Sequence, residues 1–192
     1  MISALFVRKD SIYKNLGIDC WDIDRNALNF SSSNVIIAHP PCRAWGKLSH
    51  FAKPREGERE LALWVVDKIR QNGGILEHPR ASRLWKEKPL PMPNEQNDEF
   101  GGFSICIDQS WFGHKARKTT LLYICGCEKK QLPLIPISFD QPTHVVSCSK
   151  SKYRKSKPEI TKKEREATPI NLANWMIDVC KIISENKTKI SI

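Results

Sequence analysis

The chain has 192 residues, 40% of them hydrophobic and 27% charged, which excludes a disordered polymer and leaves room for one domain with a sizeable core. A formal charge of +10 favours a polyanionic partner, and no window approaches 18 apolar residues, which excludes a membrane-spanning helix and predicts no membrane partner. The apolar start, Met1 to Val7, is too short for a secretion signal, so the seven irregularly spaced cysteines are expected to be reduced thiols in a cytoplasm.

In chain order, Ser3 to Val7 reads as a buried strand, Ile18 to Ile23 as a second and Val35 to His39 as a third. The third must stop where Pro40 and Pro41 remove ladder donors. Leu61, Trp64, Val65 and Ile69 recur at helical spacing through Gln71, and Gly73-Gly74 ends that helix. Gly74 to Glu77 is a fourth short strand, halted at Pro79. Pro89 to Gly102 is loop, and its segment Asn94 to Gly101 is placed to close over a cleft. Ser104 to Asp108 and Thr119 to Cys125 read as strands that can pair. Between Ser147 and Arg165 eight basic residues face only Glu159 and Glu164, a run suited to phosphates. Thr168-Pro169 opens a last helix, with Leu172, Trp175, Met176, Val179 and Ile183 on its apolar side. Strands alternating with helices predict a single α/β domain over 1–192, with a basic loop at about 147–165.

Three strand ends offer reactive groups: Asp22 and Asp24, then His39-Pro40-Pro41-Cys42, then Glu77-His78-Pro79. Ligands of open α/β sheets bind outside the carboxyl ends of strands. Arg43 and Lys47 beside Cys42 favour a thiolate. A cysteine nucleophile with a carboxylic acid nearby is what addition to carbon 6 of a pyrimidine needs, with a proton supplied at N3. Arg117 and Lys118 are candidate cations for the ring carbonyl. Trp45 and Trp111 can stack on a base or fill the core; Lys152, Tyr153 and Arg154 belong to the basic run. His39 and His78 with Cys42 have no paired-ligand spacing, so no metal is expected.

Pro40-Pro41-Cys42, Leu76-Glu77-His78-Pro79, the basic stretch Phe112 to Thr119 and Arg165 to Ala173 with its Thr168-Pro169 resemble, in order, motifs of DNA cytosine-5 methyltransferases, in a compact form similar to phage or prophage products. The resemblance implies a Rossmann-like sheet of reduced methyltransferase type. It makes Cys42 the nucleophile, Glu77 the N3 partner and Arg117 the support of the base. Arg43, Trp45, His78, Lys118, Lys152 and Arg154 would contact a DNA or nucleotide substrate. It implies S-adenosylmethionine as cofactor, with Phe6 and Pro40 beside it and Asp22 or Asp24 on its ribose hydroxyls. The chain departs from the family at the first turn, where Phe6 is followed by Val7-Arg8-Lys9-Asp10-Ser11 and no glycine comes before Gly17. That departure leaves open another one-carbon donor, or a degenerate methyltransferase fold that binds nucleic acid or nucleotide without turnover, for instance as a phage counter-defence protein. A cysteine hydrolase using Cys42 with His39 or His78 is a third reading.

Overall fold

A computed structural model describes residues 1–46, 49–138, 140–146 and 157–190. Its centre is one six-stranded sheet built from β1 (Ile2–Leu5), β2 (Asp19–Trp21), β3 (Val35–Ala38), β4 (Gly74–Pro79), β5 (Phe103–Asp108) and β6 (Thr119–Cys125), in the order β2-β1-β3-β4-β6-β5. The first four strands are parallel, and β6 lies antiparallel between β4 and β5. The expected pairing of the last two strands is thus present, with Cys106 opposite Leu121. All four residues of β3 are buried, as a central parallel strand covered on both faces requires.

Helices cover the two faces. The face carrying Ala4, Ile37, Ile75, Leu122 and Ile124 packs against α1 (Ile12–Asn15) and α6 (Ile170–Ile190), the latter through Leu172, Met176, Val179 and Ile183. The opposite face, with Leu5, Ile36, Leu76 and Leu121, packs against α3 (Glu58–Asn72) through Ala62, Val65, Val66 and Ile69. Each such fully buried aliphatic side chain contributes about 1.5–3 kcal/mol. Short helices α2 (Ser49–Ala52), α4 (Leu84–Glu87) and α5 (Lys162–Glu166) complete the chain. Helix α5 is closed by a reciprocal capping box between Thr161 and Glu164, a start signal that lies inside the basic run. Gly74 opens β4 with φ 148°, and a Cβ there would sit 2.2 Å from the Ile36 carbonyl oxygen, so glycine is what lets β4 pair with β3.

The chain runs from β1 outward to β2, then crosses back to β3 on the other side of β1. The order therefore reverses between β1 and β3, and a crevice opens at their carboxyl ends. β1 stops at Leu5 rather than Val7, because Phe6 takes φ 58°, which ends the ladder. The Asn94–Gly101 loop does not close over this crevice. Asp98 accepts from Arg70 (3.0 Å), from the Tyr123 hydroxyl (2.8 Å) and from the Gly102 amide (2.8 Å). Arg70 is near the end of α3 and Gly102 precedes β5, which places the loop at the amino end of the sheet, opposite the crevice.

Candidate active site

The strand ends of β3, β4 and β6 bring one cluster together. Glu77 and Ile75 share a face of β4, so the Glu77 side chain points toward α1 and α6, whereas His78 points with Leu76 toward α3. Glu77 is only 11% exposed in its side chain, and His39 15%. His39 Nδ1 lies 3.1 Å from Glu77 Oε2. Glu77 Oε1 accepts from Gln109 Nε2 (3.1 Å) and Thr120 Oγ1 (3.0 Å). On the far side of the imidazole, Nε2 meets the hydroxyl of fully buried Tyr13 at 3.0 Å. An ionised carboxylate only accepts, so in the neutral ring Nδ1 carries the proton and Nε2 accepts from Tyr13.

Burial works to raise the Glu77 carboxyl, but Lys118, the His39 hydrogen bond and the charges of His39 and His78 outweigh it and hold Glu77 well below the usual carboxylate range. Burial keeps the Tyr13 phenol well above its ordinary value, and so neutral. Cys42 sits at the start of a 3-10 turn, Arg43–Trp45, and the residue is exposed. Its thiol is nonetheless pushed up, first by the protein packed around it and then by the charge of Glu77, with Lys118 pulling the other way and Glu166 adding a smaller upward push. Cys42, Glu77 and Lys118 thus lie at or just beyond the ends of three neighbouring strands, β3, β4 and β6.

The thiolate expected beside Arg43 and Lys47 is corrected by these contacts. Arg43 forms a two-pronged ion pair with buried Glu58, through Nε at 2.9 Å and a second, shorter contact, so its charge is committed there. Lys47 lies outside the described residues, as do Lys152, Tyr153 and Arg154. The segments flanking the basic run are placed at the crevice end: His144 bridges Ala116, and Val145 bridges Glu159.

The cation facing Glu77 is Lys118, not Arg117. The β6 alternation runs backward from Leu122 through Thr120 to Lys118 on the Glu77 face, and turns exposed Arg117 to the other. Trp45 and His78, expected at the substrate, are core residues: both are fully buried, and neither Trp45 Nε1 nor the His78 ring nitrogens have a hydrogen-bond partner. The Trp45 ring carries the Arg59 guanidinium at 4.8 Å, and His78 meets Trp85 edge to face. Pro40 is buried. His39 and His78 face opposite sides of the sheet, so they do not converge with Cys42 on a metal.

The groups at the end of β1 and β2 do not fit S-adenosylmethionine. Phe6 packs edge to face on Trp64 of α3. The Val7 amide donates to the Trp21 carbonyl, and Arg8 is tied to Asp10 and Glu166. Asp22 has one oxygen on Lys14 Nζ (2.7 Å) and the other on the amides of Asp24 and Arg25, so it closes a turn rather than presenting a ribose acceptor. Asp24 is exposed and paired with Lys9 at 2.8 Å.

A cavity of about 380 Å³ lies away from Glu77, between α3 and the turn after Cys42, bordered by Ser49, Arg55, Arg59, Glu60 and Arg83. Arg59 is held by Glu87, and Arg83 by the Ala44 carbonyl and Ser49 hydroxyl, so two of its cations already have partners. The chemistry-bearing groups are those around Glu77. Tyr13, Gln109 and Thr120 were not legible in the sequence as members of that cluster, since each reaches it through the fold.

Among the described residues, then, the chain is a mixed α/β protein with a mostly parallel sheet and a cysteine, carboxylate and lysine grouped at its carboxyl end. No protein family, curated protein or solved structure matches it. No helix among the described residues is long and apolar enough to cross a membrane.

Proposed function

We propose that the protein is a Rossmann-like, methyltransferase-related enzyme that adds the Cys42 thiol to carbon 6 of a pyrimidine base, cytosine, carried in DNA or a nucleotide, and so activates carbon 5. The observation that carries this reading is the Glu77 carboxylate, held by His39, Gln109 and Thr120 near the carboxyl end of β4, with exposed Cys42 just beyond the end of the neighbouring strand β3. Addition moves a proton from sulfur to ring nitrogen N3 as the S–C6 bond forms, and the C5–C6 π electrons pass into the ring. Glu77 is an acceptor that stabilises the N3–H it faces. Lys118 favours the Cys42 thiolate that attacks carbon 6 and balances negative charge on the carbonyl side of the ring. Carbon 5 becomes an enamine carbon, ready for an electrophile or for exchange of its hydrogen with water. No step here runs through S-adenosylmethionine, which the Phe6–Ser11 loop does not fit. The charge of +10, with its basic run, supports a nucleic-acid partner.

The hydrolase reading is disfavoured by Tyr13, which occupies the His39 nitrogen that would serve a thiol.

The test needs no donor. An oligonucleotide with tritium at cytosine carbon 5 is incubated with the protein, and radioactivity in water is counted; dCMP in its place separates polymer from nucleotide substrates. Release by the wild type and none by Cys42→Ala is the expected result. Binding without release by either protein overturns the enzyme and leaves a binding module.

A further inference from the structure

We infer that the cavity between α3 and the turn after Cys42 is a phosphate-binding site, which holds a phosphate of the nucleotide or DNA strand whose base is offered to Cys42. The identity of the ligand rests on the addition reading above; the phosphate chemistry of the cavity does not.

Three arginines line the cavity, Arg55, Arg59 and Arg83. Its volume of about 380 Å³ falls in the range of small-ligand pockets, about 300–1,000 Å³. Two of the arginines are already set in place. Arg59 lies over the Trp45 ring at 4.8 Å and is paired with Glu87. Arg83 donates to the Ala44 carbonyl at 3.0 Å and to the Ser49 hydroxyl at 2.9 Å. These polar contacts use Nη2 alone, and a guanidinium carries five N–H donors, so both side chains keep donors for a ligand. The Arg55 guanidinium has no hydrogen-bond or ion-pair partner among the described residues. Against these three charges stand Glu60, in the lining, and Glu87, on Arg59, which leaves the site net positive.

The start of α3 borders the same cavity through Gly57 and Arg59. Gly57 offers no side chain to cap the helix, and the Glu58 carboxylate is taken by Arg43 and by the Arg55 amide. The positive end of α3 therefore adds to the arginines. Forked, planar donors match the oxygens of a phosphate, and its several anionic acceptors can engage more than one arginine at once, which the two oxygens of a carboxylate do less well.

The cavity and the nucleophile share a wall. Ala44 lines the cavity and is two residues from Cys42, so their α-carbons are at most about 7 Å apart. Arg43, between them, is clamped to Glu58 at the start of α3, and the Arg83 amide donates to the Trp45 carbonyl at 3.0 Å. A phosphate held here ties its nucleotide to the turn that carries Cys42.

Arg55→Gln is the informative variant, because it removes a charge that holds nothing else among the described residues. Lys181→Gln removes the same charge from α6, on the opposite face of the sheet from α3. Both are titrated calorimetrically with dCMP, with deoxycytidine and with a cytosine oligonucleotide that lacks terminal phosphates. Phosphate-bearing ligands are expected to bind R55Q about tenfold more weakly than wild type, with K181Q unchanged and deoxycytidine indifferent to both substitutions. Inorganic phosphate is expected to compete with them in the wild type. A loss confined to dCMP marks a terminal phosphate as the ligand; a loss with the oligonucleotide marks a backbone diester. Equal losses in R55Q and K181Q, no loss in R55Q, or no binding of either phosphate-bearing ligand by the wild type overturns the inference. Tritium release with the same KM in R55Q as in wild type overturns it too. Binding that R55Q weakens, with no tritium release by the wild type, instead sinks the addition reading and leaves the phosphate site standing.

Discussion

Glu77→Ala is expected to lower folding stability by about 3–5 kcal/mol, the range seen when one partner of a buried ion pair is removed. The substitution strands three donors at once: His39 Nδ1–H, Gln109 Nε2 and Thr120 Oγ1. Each orphaned donor costs about 1–3 kcal/mol where water cannot reach it. Glu77→Gln keeps the volume and one acceptor, so its loss is smaller, while it still abolishes tritium release. Urea unfolding of both variants checks the pair. A loss under about 1 kcal/mol for E77A would mean that the hydrogen bonds around Glu77 do not hold the strand ends together. The Glu77 contribution is complete above the ordinary carboxyl value of 4.5 and declines as pH falls toward its lower folded value.

Acid destabilisation sets in earlier, through His78. Burial drives its imidazole down to about 4, against the opposing pull of the Glu77 charge. In the unfolded chain it titrates near its ordinary 6.5. Between those values the unfolded state binds the extra proton and the folded state does not, so stability is full above pH 6.5 and falls by about 1.4 kcal/mol per pH unit below it. The total is of order 3 kcal/mol by pH 4.5. His78→Leu removes a buried ring whose nitrogens have no partner and is expected to flatten this slope with little loss at pH 7.5. Urea midpoints at pH 7.5, 6 and 5 give the answer. Equal slopes in wild type and H78L would show that His78 is not the group responsible.

The α/β class, the end of β3 within one residue of His39, and the Ser104–Asp108 pairing with Thr119–Cys125 were readable, because buried strands and proline stops leave local marks, whereas β4 runs past Glu77 to Pro79, which pairs with Thr120. The choice between Arg117 and Lys118 was also readable in principle. Counting back from Thr120 by twos reaches Lys118, but the face of Thr120 is fixed only once Glu77 is known to bond it. The same holds for helix α5, whose Thr161 and Glu164 spacing is a local signal masked by the surrounding lysines. Other features depend on distant partners. Arg43 looks like a free cation until Glu58, fifteen residues on, takes both of its prongs. Trp45 follows two prolines and a cysteine with no periodic pattern, so its burial is set by α3 and Arg83 rather than by its neighbours. The loop around Asp98 was misplaced because its anchors, Arg70 and Tyr123, sit on elements far along the chain.

Covalent trapping tests the central claim most directly. A single 5-azacytosine in an oligonucleotide accepts a thiol at carbon 6, and ring nitrogen 5 takes up the proton, so a stable adduct needs no donor. Intact-protein mass spectrometry followed by peptide mapping should find one oligonucleotide attached, on the peptide containing Cys42, and none in Cys42→Ser. An adduct on another residue, or none on a folded protein that binds the same oligonucleotide, would contradict the account.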